Sequence, residues 1–185
     1  MLTEKGKAGL LAADGQPSGD VQRIIASGAS VMGVDLFLQG EFLFDGQSDT
    51  PTRRVKNTRE AAAYTLGYNH SLFAQRTHDV LSVLAFIRDH AEHKTTHAAL
   101  VALDATAPIA IAARALSDGY VNSLAVDTKG FRFGKVNDIR DPNFQPAIAK
   151  YGDLTSLIDL GKGALWIDGE KKATGGNAID WVTAQ

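Results

Sequence analysis

The sequence predicts an α/β domain in which a small, mostly parallel sheet carries helices on both faces. Three observations predict it. Apolar runs at Ser30–Leu38, Ala98–Leu103, Tyr120–Val126 and Ala164–Ile167 are short and continuous, as in strands buried on both sides. Stretches with helical spacing alternate with these runs, which is the pattern of strand–helix–strand units. Most informative is AALVALDATAPIAIAARAL, residues 98–116. There an apolar run meets a small-residue turn, Asp104–Ala107, and then Pro108 opens an alanine-rich segment. Proline suits a first helical turn, because its φ is already helical and its missing N–H is not needed there. The stretch therefore reads as buried strand, sharp turn, helix.

Taken in order, residues 1–16 are turn-rich around a short apolar patch, Leu10–Ala13. Ser18 is placed to cap a helix over Gly19–Ser27, whose Val21, Ile24 and Ile25 share one face, and Gly28 is a natural stop. The β-rich run Ser30–Leu38 follows as a strand. Residues 39–70 are the least regular part, with a short helix expected at Thr58–Tyr64 and a basic stretch at Arg53–Lys56. Ser71–His90 is the long helix, because Phe73, Thr77, Val80, Leu84 and Ile87 recur at three- and four-residue steps. After the 98–116 unit and the strand ending at Asp127, residues 128–152 are loop-rich, broken at Pro142 and Pro146. Leu154–Leu160 is a short helix stopped at Gly161, Ala164–Ile167 a last strand ending at Asp168, and Asn177–Ala184 a final helix.

Composition excludes several classes of function. The chain has 185 residues, enough for one domain with a real core, and the whole of residues 1–185 reads as that single domain. Its net charge of −2 gives no electrostatic footprint for nucleic acid or an anionic membrane. No apolar run reaches the roughly 18 residues of a membrane span, and the N-terminal stretch lacks the features of a signal peptide. There is no cysteine, so disulfides, thiolate chemistry and Cys-ligated zinc are excluded. Neither a phosphate-binding G-x-x-x-x-G-K-[ST] nor a G-x-G-x-x-G occurs, and no cofactor is expected.

Several segments carry a resemblance. Ala102-Leu103-Asp104-Ala105-Thr106 stands where a G-x-S-x-G nucleophile elbow would stand between strand and helix. Asp35-Leu36-Phe37-Leu38-Gln39-Gly40-Glu41 looks like a D-x-x-G-x-G-E segment. Gly67-Tyr68-Asn69, the run Leu72–Leu81 (LFAQRTHDVL), Gly130-Phe131-Arg132-Phe133 and Lys150–Leu154 complete the set. Together they resemble the α/β-hydrolase superfamily, in particular its acetyl-xylan-esterase-like and dienelactone-hydrolase-like members, over residues 5–183. Lys5-Gly6-Lys7-Ala8-Gly9 looks like the loop after that fold's third strand, so the chain resembles the C-terminal part of a truncated α/β-hydrolase. The resemblance implies an ester or lactone hydrolase of the carbohydrate acetyl-ester type.

Two departures cut against that chemistry. The elbow has no serine, and all five histidines (His70, His78, His90, His93, His97) precede it, whereas the superfamily's triad runs Ser, Asp or Glu, then His. Asp104 occupies the nucleophile position and can be read as a carboxylate nucleophile or, more commonly, as a helix cap; Thr106 has the same two readings. Asp127 and Asp168 close strands, where ligands gather in open parallel sheets, but aspartates there are also ordinary turn formers. With Asp104 they form the candidate catalytic set. His90-x-x-His93-x-x-x-His97 has metal-ligand spacing only if the helix continues through it; surface capping is the simpler reading, and no metal is expected. His78 reads as a helix-surface residue. Asn137, Asp138, Asp141 and Asn143 match no calcium loop. The expected function is a non-catalytic or degenerate α/β-hydrolase-like domain. The alternative is an ester or lactone hydrolase working through the carboxylates on a small ester substrate. A truncated sheet leaves one edge open beside the missing strands, which predicts a homo-oligomer paired through that edge.

Overall fold

A computed structural model describes residues 1–43, 66–90, 92 and 95–185. Its sheet has three parallel strands in the order β1 (Ala99–Ala102), β2 (Ser123–Asp127), β3 (Ala164–Asp168). Ala102 pairs with Val126, and Asp127 with Asp168, so all three strands end along one rim.

Side chains alternate across the sheet, and both faces are buried. Leu100, Ala102, Leu124, Val126 and Ile167 enter one core, and Val101, Ala125 and Trp166 enter the other. That is why each strand reads as an unbroken apolar run. Helices α2 (Leu72–Asp89), α3 (Ala107–Leu116) and α4 (Asp153–Leu160) cover the first face. Helices α1 (Gly19–Ala26) and α5 (Ala178–Thr183) cover the second. The α/β class and the two-sided helical cover follow the sequence expectation.

The alanine-rich α3 is buried from Ala107 to Arg114, with Ala110, Ile111 and Ala113 wholly excluded from solvent. Small side chains let it lie close between α2, α4 and the sheet. Arg114 is its one buried cation. It donates to the carbonyls of Ile158 (3.3 Å), Lys162 (2.9 Å) and Gly163 (2.9 Å), and so ties the end of α4 to the start of β3. Burial lowers its pKa from the ordinary arginine value. Gly161 leaves the room it needs, since a Cβ there would lie 2.3 Å from Arg114 Nη1.

One expectation is corrected. Ser30–Leu38 is not a strand; it is extended chain that enters no ladder, ending in a turn at Leu38. Its polar groups are taken by side chains: Asp79 accepts from Phe37 N (2.8 Å), Gln39 Oε1 from Leu36 N (3.2 Å), and Arg76 donates to the Phe37 and Leu38 carbonyls. The β1 edge expected to be open carries one bridge. Leu2 bridges Ala102 in parallel, with Leu2 N donating to Val101 O and Leu103 N to Leu2 O, each 2.9 Å. The outward carbonyl of Thr3 in turn accepts from Gly6 N (3.2 Å) and Gln39 Nε2 (3.4 Å). On the far side, Thr174 caps β3: its N–H donates to Ile167 O (2.8 Å) and its hydroxyl accepts from Ile167 N (2.9 Å). The expected helix at Thr58–Tyr64, the basic Arg53–Lys56 stretch and His93 lie outside the described residues.

Candidate functional site

The turn between β1 and α3 is the sharpest feature of the rim. Asp104 has φ +56, in the left-handed region that only Asn, Asp and Gly visit readily. Its side chain is exposed, and among the described residues it has neither a hydrogen bond nor an ion pair. It is therefore not the helix cap that its position suggested. Thr106 does not cap either: its hydroxyl turns back to donate to Leu103 O at 2.6 Å and to Leu2 O at 3.4 Å. The N-terminal segment thus reaches the base of the elbow directly.

Asp127 and Asp168 are register partners at the ends of β2 and β3. Asp127 Oδ1 accepts from Lys129 N and Asp168 Oδ1 from Gly169 N, both at 2.8 Å. These are local turn contacts, as expected of strand-end aspartates. By alternation, both side chains lie on the Val101–Trp166 side of the sheet, under α1 and α5, whereas the elbow leads into α3 on the other side. The structure brings the three aspartates to one rim but does not make them one constellation.

Beside them lies a polar cluster that sequence reading missed. Arg132 makes a forked pair with Glu170, at 2.8 and 2.6 Å, and the buried Thr128 hydroxyl reaches Glu170 Oε1 (2.8 Å) and Asp168 O (3.1 Å). The Arg132 hydrogen bonds hold the Glu170 carboxyl below its ordinary pKa. Gly169 permits the close approach: with φ +75, a Cβ on it would lie 2.4 Å from Lys129 N. No spacing rule links positions 132 and 170, so only the fold could reveal the pair.

The motif segments prove to be fastenings. Asp35 accepts from Lys7 N (2.8 Å) and Glu41 N (3.3 Å), joining the loop after Leu2 to the 35–41 turn. A Cβ on Gly6 or Gly40 would meet that carboxylate at 2.0 or 2.4 Å. Gln39 is buried and reaches Glu4 O (3.1 Å). Phe73 and Phe131 each pack edge-on against Phe133 with ring centroids 5.0 Å apart. Asp153 accepts from the N–H groups of Phe133 (2.7 Å), Gly134 (2.9 Å) and Leu154 (2.6 Å).

The described histidines are dispersed. His78 is exposed on α2, and His90 ends that helix with its Nδ1 accepting from Glu92 N at 3.3 Å. His97 meets Ser123 Oγ at 3.1 Å at the start of β2, the opposite end of the strand from the rim. His70 precedes α2. Among the described residues, no group of three or more His, Asp or Glu is arranged to hold a metal. Asp138 and Asp141 accept from the N–H groups of Arg140 (2.9 Å) and Asn143 (2.8 Å) instead. No described helix is long and apolar enough to cross a membrane. No protein-family model matches the chain, and no curated protein or solved structure matches it.

Proposed function

We propose that this chain is a non-catalytic α/β-hydrolase-like domain that serves as a structural or binding module of an esterase-like protein. The observation that carries the reading is the elbow itself. Asp104 stands in the nucleophile's place with no imidazole or other base in contact among the described residues. An acyl- or alkyl-enzyme ester formed on a carboxylate still needs a base to activate water. The parallel order Leu2, β1, β2, β3, with a strand–turn–helix after β1, supports the likeness to that superfamily at the level of fold.

A second reading, an ester or lactone hydrolase acting through Asp104, is favoured by one observation. The carboxylate is exposed, unpartnered among the described residues, and carried on a left-handed backbone, a conformation that often marks functional turns. The test is hydrolysis of p-nitrophenyl acetate and a simple lactone by the wild type and Asp104→Asn. The expected outcome is no turnover above buffer for either protein. Wild-type turnover abolished by Asp104→Asn, with an unchanged circular dichroism spectrum, would overturn the non-catalytic reading.

A further inference from the structure

One unassigned feature is a cleft of about 340 Å³ whose lining includes Phe37, Leu38, Tyr68, His70, Asp141 and Phe144. None of the rim aspartates lines it, so it is independent of the elbow. We propose that this cleft binds a small organic ammonium cation, of the quaternary or methylated-amine class.

Three observations carry the proposal. The first is the chemistry of the lining. Its described residues hold three benzenoid rings, from Phe37, Tyr68 and Phe144, with Asp141 as the only carboxylate among them and no lysine or arginine among them. Aromatic faces present negative potential and accept a cation that has an apolar periphery, and a carboxylate adds the counter-charge. Among its described residues, His70 is the only side chain that could carry positive charge toward an anion. The second is that the charge and one ring are available. Asp141 Oδ1 accepts from Asn143 N at 2.8 Å, and its other oxygen has no partner among the described residues. Tyr68 is 92% exposed, a ring packed against almost nothing. A ring so exposed is free to close over a bound cation.

The third is that the described walls are fixed before any ligand arrives. Leu38 is held at φ +59, and Arg76 donates to its carbonyl (3.2 Å) and to that of Phe37 (2.9 Å). Asp79 accepts from Phe37 N at 2.8 Å. The opposite wall is tied to the start of α2, where Ser71 caps the helix (Ala74 N, 3.0 Å) and donates to Gln145 Oε1. Phe144 N donates to Asp141 O (2.9 Å), closing the turn that presents both residues. A volume of this size holds a compact ligand and lies at the lower end of small-molecule sites, and a preformed site avoids part of the ordering cost of binding.

The test uses the full chain with two probes of equal shape: choline, and its uncharged carbon isostere 3,3-dimethyl-1-butanol. Binding is read by aromatic chemical-shift changes in NMR titrations up to roughly 50 mM, the range that detects millimolar dissociation constants. The expected result is saturable choline binding, with the isostere about tenfold weaker or undetectable. Asp141→Asn keeps an acceptor for Asn143 N and is expected to weaken choline by about tenfold without changing isostere binding; Tyr68→Ala is expected to weaken choline through lost cation–π contact. No saturable choline shift, equal affinity for the two probes, or choline binding indifferent to both substitutions would each overturn the proposal.

Discussion

At the scale of single residues, Asp104 shows how a position can keep a geometry without the chemistry usually attached to it. Its left-handed φ is set by the tight join between β1 and α3, and its carboxylate satisfies nothing among the described residues in return. Replacing it with glycine removes the backbone strain at no loss of contact. Asp104→Gly is therefore expected to raise stability by about 1 kcal/mol in urea unfolding. A loss of stability would mean that the carboxylate contributes more than the strain costs. The composition and spacing around this turn made strand, turn and helix legible. They could not show whether the side chain capped the helix, because that depends on where the oxygen points once φ is positive.

At the scale of elements, α4 is placed from both ends: Arg114 holds the Ile158 carbonyl near its end, and Asp153 ties its first turn to the Phe133–Gly134 backbone. Asp153 titrates below the ordinary aspartate value. Burial acts to raise its pKa, but the N–H groups of Gly134, Leu154 and Phe133 and the nearby Arg132 outweigh it. A carboxyl depressed in the folded state contributes stability above its unfolded pKa of about 4, and that contribution is lost as pH falls through the folded value. The wild type is expected to lose stability between about pH 5 and pH 3. Asp153→Asn, which tolerates the same positive φ, is expected to be about 2 kcal/mol less stable at neutral pH and to show a shallower acid decline. An unchanged acid limb in that variant would assign the decline to other carboxyls. The long helix was legible because its apolar period matches the core face of α2, where Phe73, Thr77, Val80 and Leu84 are buried. Ser30–Leu38 misled for the converse reason. Its apolar run is strand-like, but Asp79, Arg76 and Gln39 claim the backbone groups that a ladder would have used. Asp79 and Arg76 are remote in sequence, and local composition carries no trace of them.

At the scale of the molecule, the edge expected to pair with another chain is partly occupied by the chain itself. Leu2 occupies the edge of β1, Gly6 and Gln39 take the outward carbonyl of Thr3, and Thr174 covers Ile167 on the far side. Light scattering is expected to give the mass of one chain, 19.7 kDa. A stable dimer would restore pairing through the remaining edge as the working expectation. The same Leu2 bridge bears on how the chain folds. Joining residues 2 and 102 in one step would close a very long loop, yet the structure contains shorter stages toward it. Lys7 meets Asp35 across 28 positions and Phe37 meets Asp79 across 42, and each link brings the next pair within reach. Because closure entropy grows only logarithmically with loop length, and each closure already made shortens the loop that remains, holding residues 2 and 102 together costs less than their separation in sequence suggests.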